Sequence, residues 1–238
     1  MIKSILNPEN RLFVLARSAR WLPPMLLALL LAVVFTFGGQ LIGGIPLAIL
    51  MLLGLLPSGS APLSAALWMT LVFFITLCPT ALLLWLWVRL AEKRPLSSLG
   101  LEKNGAFAKL VRGLLLGCGL FLFITLLLAA TGSVRISANP HGGNFITAAA
   151  VLLVLPAWLF QSSLEEITMR GWLMPVIAAR KSPFWGVLIS SSIFTILHLL
   201  NPNISVLAVV NLIIAGLLFA LVALWEGGIW GACGLHAA

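Results

Sequence analysis

Aspartate is absent from this chain, and six glutamates carry all of its side-chain negative charge. Charged residues of both signs amount to 8% of the sequence, against about 25% in a soluble domain. A surface that faces water on every side cannot be built from such a composition, so a soluble globular enzyme is excluded. Cysteine is scarce as well. Cys78, Cys118 and Cys233 lie far apart in apolar stretches without C-x-x-C spacing, which excludes a disulfide framework or a zinc ribbon. Each reads as a small buried hydrophobe. The apolar runs do not alternate in polarity, which excludes a transmembrane β-barrel. No internal repeat is visible, which argues against a transporter built from paired broken helices. The first long apolar run starts only at Trp21, and no cleavage site of small residues precedes a soluble domain, so a cleaved signal peptide is not expected.

What is present is hydrophobicity: 61% of residues are apolar and the mean hydropathy is +1.15. The expected fold is all-α, a polytopic transmembrane helix bundle of about 7–8 helices, since one span takes about 20 apolar residues. The formal net charge of +8 does not point to nucleic acid. Its cations gather in two places, Lys3, Arg11, Arg17 and Arg20, then Lys93, Arg94, Lys103, Lys109 and Arg112, as in segments held on the cytoplasmic side. Residues 1–20 are expected to be a basic interfacial arm, 21–90 N-terminal transmembrane helices, 91–109 a cytoplasmic loop and 110–238 the functional helix core. If the arm and the loop are both cytoplasmic, 21–56 is one long broken element, interrupted by Gly38, Gly39, Gly43 and Gly44, and not two helices. A long helical region over 145–180 is expected to break near Pro156 and Pro175. The final segment, 227–238, is too short to span, and the sequence is expected to be cut at its C-terminus.

Two adjacent acids, Glu165 and Glu166, stand in this apolar surrounding. A carboxylate in a membrane costs about 3 kcal/mol or more, so its default reading is functional. On a helix, Glu166 and Arg170 are i and i+4 with Glu on the favourable side. That pair either locks helix packing or supports a site. Glu165 points about 100° away without this partner, and a carboxylate held near water there suits a general base. His198 closes an apolar helix, four residues after Phe194. His236 lies in the small-residue run Gly231-Ala232-Cys233-Gly234, which permits close helix approach. His141 reads as a solvated loop residue and Glu226 as an interfacial one. Trp21, Trp85, Trp87 and Trp225 fall where aromatic belts form.

The order Glu-Glu-x-x-x-Arg, Phe-x-x-x-His and a terminal His in a Gly/Ala-rich helix resembles the CAAX protease and bacteriocin-processing (CPBP, also called Abi) family of intramembrane endopeptidases. Arg94-Pro95-Leu96-Ser97-Ser98-Leu99-Gly100-Leu101 is similar to the loop before the core in bacterial members. The resemblance covers about residues 92–238. It implies an integral protein of the bacterial inner membrane hydrolysing a peptide or lipidated protein tail, and the basic arm is expected to put the N-terminus on the cytoplasmic side. It implies that Glu165 activates a water, that His198 helps place it, and that Glu166 and Arg170 support the site. His236, with an Asn or Asp four residues later, would stabilise the oxyanion. That fourth position falls beyond Ala238. The resemblance favours no obligatory cofactor, with zinc as second choice, because the H-E-x-x-H spacing of helical zinc sites is missing. The competing reading is a non-catalytic immunity or scaffold protein of the same fold.

Overall fold

Long apolar stretches bounded by Pro, Asn, Ser and Gly form helices, and the computed structural model describes residues 6–55, 61–137, 144–202 and 204–238. Among the described residues there are eight helices and no strand. His141 and residues 56–60 lie outside them. Helix α1 is Arg11–Arg17, α2 Met25–Leu52, α3 Pro62–Ala91, α4 Ala106–Ala130, α5 Phe145–Arg180, α6 Pro183–His198, α7 Val206–Glu226 and α8 Trp230–Ala237. Five of them, α2, α3, α4, α5 and α7, are long and apolar enough to cross a membrane. Polar caps start the helices where sequence permits: Asn144 accepts from Thr147 N–H at 2.8 Å, and Ser205 from Ala208 N–H at 3.1 Å. Gly227 ends α7 with a left-handed φ of 62°.

The centre of the bundle is the C-terminal half of α5, buried without interruption from Thr168 to Ala178. Around it pack α1, α2, α6, α7 and a single 3₁₀ turn at Leu96–Leu99. The outer faces of α2, α4 and α7 leave Leu, Ile and Phe exposed, as expected of surfaces in contact with lipid.

Two helix pairs are set by glycine. Gly39 and Gly43 lie one turn apart against the α3 backbone at Thr80 and at Ile75–Thr76, where a Cβ would collide. They do not break 25–52. They let α2 and α3 touch, so the single-element alternative is the one adopted. Gly113 and Gly117 of α4 meet α8 in the same way, and Gly234 of α8 meets α4 at Leu110 and Leu114. This contact fixes α8 in depth and rotation, and with it His236.

Several expectations are corrected. Pro156 does not break α5, because only one backbone bond is lost and lipid offers no competing acceptor. Pro175 falls in the first turn of the α-helical stretch Met174–Arg180, where its missing N–H is tolerated. The discontinuity in α5 is a widened π-helical stretch at Ile167–Leu173. The apolar face of α1 packs on protein: Leu12, Phe13 and Ala16 are buried, and Asn10 Nδ2 donates to Leu224 O at 2.7 Å. The segment 91–109 is exposed in part and anchored in part. Glu92, Arg94 and Ser98 are buried; Glu92 accepts the indole N–H of Trp87 at 2.9 Å and of Trp172 at 2.7 Å, and pairs with Arg94 at 2.5 Å. A buried acid with this many donors is satisfied, so it pins the segment to α5. Of the three cysteines, only Cys233 is buried; Cys78 and Cys118 are exposed on the apolar exterior.

Candidate active site

Helix α5 carries Gln161, Glu165, Glu166 and Arg170; α6 brings His198 in its last turn, and α8 brings His236. Glu166 ends the regular part of α5 and Arg170 lies in the π-helical stretch, a local geometry found often at functional sites. Arg170 Nη1 donates to Glu166 Oε1 at 2.8 Å, and Nη2 to Gly216 O of α7 at 3.0 Å. Its guanidinium lies 4.5 Å from the Phe194 ring centroid and 5.4 Å from that of Phe219. Neither charge of the pair is solvent-accessible. Two aromatic faces and a backbone carbonyl compensate the cation, and a second donor compensates the anion.

That second donor is His236. Its Nδ1–H donates to Glu166 Oε1 at 2.8 Å, because a carboxylate can only accept. The ring stacks on Phe219 with centroids 4.6 Å apart and a 17° interplanar angle. Thus Nε2 is turned away from Glu166, to within 3.7 Å of Glu165 Oε2. His198 is oriented by the same logic. Its Nδ1–H donates to the Phe194 carbonyl at 2.7 Å, and Nε2 stands 3.8 Å from the same Glu165 Oε2. One carboxylate oxygen therefore faces two imidazoles at a spacing too long for direct hydrogen bonds. The other oxygen, Oε1, accepts from Gln161 Nε2 at 3.2 Å.

Glu165 and His198 open on a cavity of about 220 Å³. Its far wall is made by Thr36, Phe37 and Gln40 of α2 and by Leu77 and Thr80 of α3, and Asn201 also lines it. The side chains of Glu165 and His198 are each 24% exposed, although Oε2 of Glu165 is itself buried.

All five site residues expected from sequence, Glu165, Glu166, Arg170, His198 and His236, come together here. Glu226 does not join them. Its carboxylate accepts from Gly231 N–H at the start of α8 at 2.9 Å and pairs with Arg112 of α4. Sequence reasoning missed Gln161, whose position four residues before Glu165 was a usable signal, and Phe219 and the α2–α3 wall, for which no local signal exists.

Among the described residues no three His, Cys or acidic side chains are placed as a ready metal-ligand set. Glu165, His198 and His236 come nearest. Their 3.7 and 3.8 Å separations exceed the roughly 3.4 Å between donors of a tetrahedral zinc ion with bonds near 2.1 Å, so a metal would require slight contraction.

The chain is an integral membrane protein with an acid–histidine site enclosed by its helices. Residues 147–238, which include every member of that site, match the family described as type II CAAX prenyl endopeptidase Rce1-like. The family's activity is proteolysis of peptide or prenylated protein substrates at the membrane. No curated protein and no solved structure matches the chain.

Proposed function

We propose that the protein is an intramembrane endopeptidase in which Glu165 activates a water against a peptide carbonyl. The observation that carries this reading is the placement of Glu165 Oε2 at 3.8 Å from His198 Nε2 and 3.7 Å from His236 Nε2, at the edge of a cavity. A water there donates one hydrogen to Oε2 and the other to the bare Nε2 of His198. Glu165 takes the proton as the water oxygen bonds to the carbonyl carbon. His236, held at Nδ1 by Glu166, donates from Nε2 as imidazolium to the oxyanion, a contribution of about 3–4 kcal/mol in comparable sites. Glu165 then delivers its proton to the amide nitrogen as the C–N bond breaks. Arg170 positions Glu166 and so His236.

Zinc is the second reading. Both imidazoles have Nδ1 committed, to a carbonyl and to a carboxylate, which is how metal-bound histidines are usually held. Glu165, His198 and His236 would hold the ion, which would supply Lewis acidity and a more acidic water. The metal-free route is the first reading because the chain lacks the H-E-x-x-H spacing by which one helix delivers zinc ligands.

The bilayer in question is a bacterial cytoplasmic membrane, with the N-terminus on the cytoplasmic side. The backbone bond from Arg20 N–H to Glu92 O at 2.9 Å supports this, since it sets both basic segments at the same end of the bundle. The test is to incubate the reconstituted full chain with a farnesylated CAAX peptide and with unmodified peptides, and to read new termini by mass spectrometry. Cleavage by wild type that is lost in Glu165→Gln is the expected result. Equal cleavage by both overturns the assignment.

A further inference from the structure

The two oxygens of Glu165 are not equivalent. Oε2 faces both imidazoles and has no hydrogen-bond partner in the protein, whereas Oε1 accepts from Gln161 Nε2 at 3.2 Å. Gln161 lies one turn earlier on α5, on the same face, and lines the same cavity as Glu165 and His198. A free carboxylate on a flexible two-carbon stem can rotate and present either oxygen. A donor fixed to one oxygen removes that freedom. The other charged groups around Glu165 cannot serve as this donor. Arg170 is held by Glu166 and Gly216, and the Nδ1–H groups of His198 and His236 are committed elsewhere. From α2 and α3 only the uncharged Thr36, Gln40 and Thr80 bring polar groups to the cavity.

We infer that Gln161 is a positioning residue: its amide N–H groups hold Oε1 of Glu165 and thereby assign Oε2 as the oxygen that meets the attacking water. It acts through Glu165 and does not itself exchange a proton. The inference rests on the reading of Glu165 as the base.

The test compares wild type, Gln161→Met and Gln161→Glu in the reconstituted full chain, with Glu165→Gln as reference. Met keeps the length and removes the donor; Glu keeps the shape and, in mildly alkaline buffer, replaces the donor by an acceptor. The expected result is a fall in kcat of about tenfold or more on the farnesylated CAAX peptide with KM nearly unchanged, since a hydrogen bond to a charged group is lost while the cavity keeps its shape. Infrared difference spectra against Glu165→Gln isolate the Glu165 carboxylate stretch, which is expected to shift in Gln161→Met. Wild-type kcat in both variants, a loss carried by KM alone, or an unshifted carboxylate band overturns the inference. Glu165→Gln that still cleaves overturns the reading beneath it. Inactive Glu165→Gln beside unimpaired Gln161 variants overturns only the role of Gln161. The infrared arm needs no turnover, so the two failures are distinguishable.

Discussion

Glu166 Oε1 receives two donors at 2.8 Å, Arg170 Nη1 from its own helix and His236 Nδ1 from 70 residues further along the chain. One buried oxygen thus joins α5 to α8 and aims an imidazole at the neighbouring acid. Glu165 and Glu166 are adjacent in sequence and differ in surroundings: Glu166 is enclosed, and Glu165 lines a cavity.

Substitution of the open acid is expected to separate activity from folding. Glu165→Gln and His198→Ala should each lower kcat by about 10²–10⁴-fold, the usual contribution of a positioned acid–base group. Thermal unfolding in detergent should stay close to wild type, since both side chains are partly exposed. A large stability loss in Glu165→Gln would instead assign it a packing role.

Substitution of the enclosed pair should cost stability as well as activity. Arg170→Met leaves Glu166 buried without its cation and is expected to cost about 3–5 kcal/mol. The double variant Glu166→Leu/Arg170→Met should lose less than the sum of the two single variants, because it leaves no uncompensated charge. It should remain inactive, since His236 loses its anchor. Additive losses in a double-mutant cycle would show that the pair is not coupled.

Metal dependence is decided by chelation. Cleavage should persist after the purified protein is equilibrated with a strong chelator and dialysed. Loss of activity that zinc restores would establish the second reading and make Glu165, His198 and His236 ligands.

The contact between α2 and α3 should matter to the site although neither helix carries one of its ionisable groups. Gly43→Ala pushes a methyl group into the α3 backbone at Ile75–Thr76, and overpacking of this kind costs about 1–3 kcal/mol. Because Thr36, Phe37 and Gln40 of α2 wall the cavity, KM should rise as well. Gly44→Ala, with open space around it, is the control and should be neutral. Equal behaviour of the two variants would show that the α2–α3 contact does not shape the site.

Much of this architecture could be read from residues alone. The membrane class follows from the scarcity of charge, and the Glu166–Arg170 pair follows from helical spacing, because both depend on composition or on neighbours within one turn. The burial of Glu92 was not legible. Its donors Trp87 and Trp172 come from α3 and α5, and a basic stretch after a span reads as solvated until the indole groups are seen to fold over it. Pro156 misled for a related reason: proline marks a break in water, whereas in a bundle the flanking helix bonds persist.

Sequence by itself determined that the chain lives in a bilayer and that Glu165, Glu166, His198 and His236 are costly residues, since an ionisable group inside a long apolar run is marked by its neighbours in the chain. Only the tertiary structure decided which acid is sealed and which is open, that both imidazoles present Nε2 to a single oxygen, and that α2 and α3 close the cavity. Those outcomes depend on the rotation and depth of helices packed through Gly39, Gly43, Gly113 and Gly234, and relations between distant helices leave no local pattern in the chain.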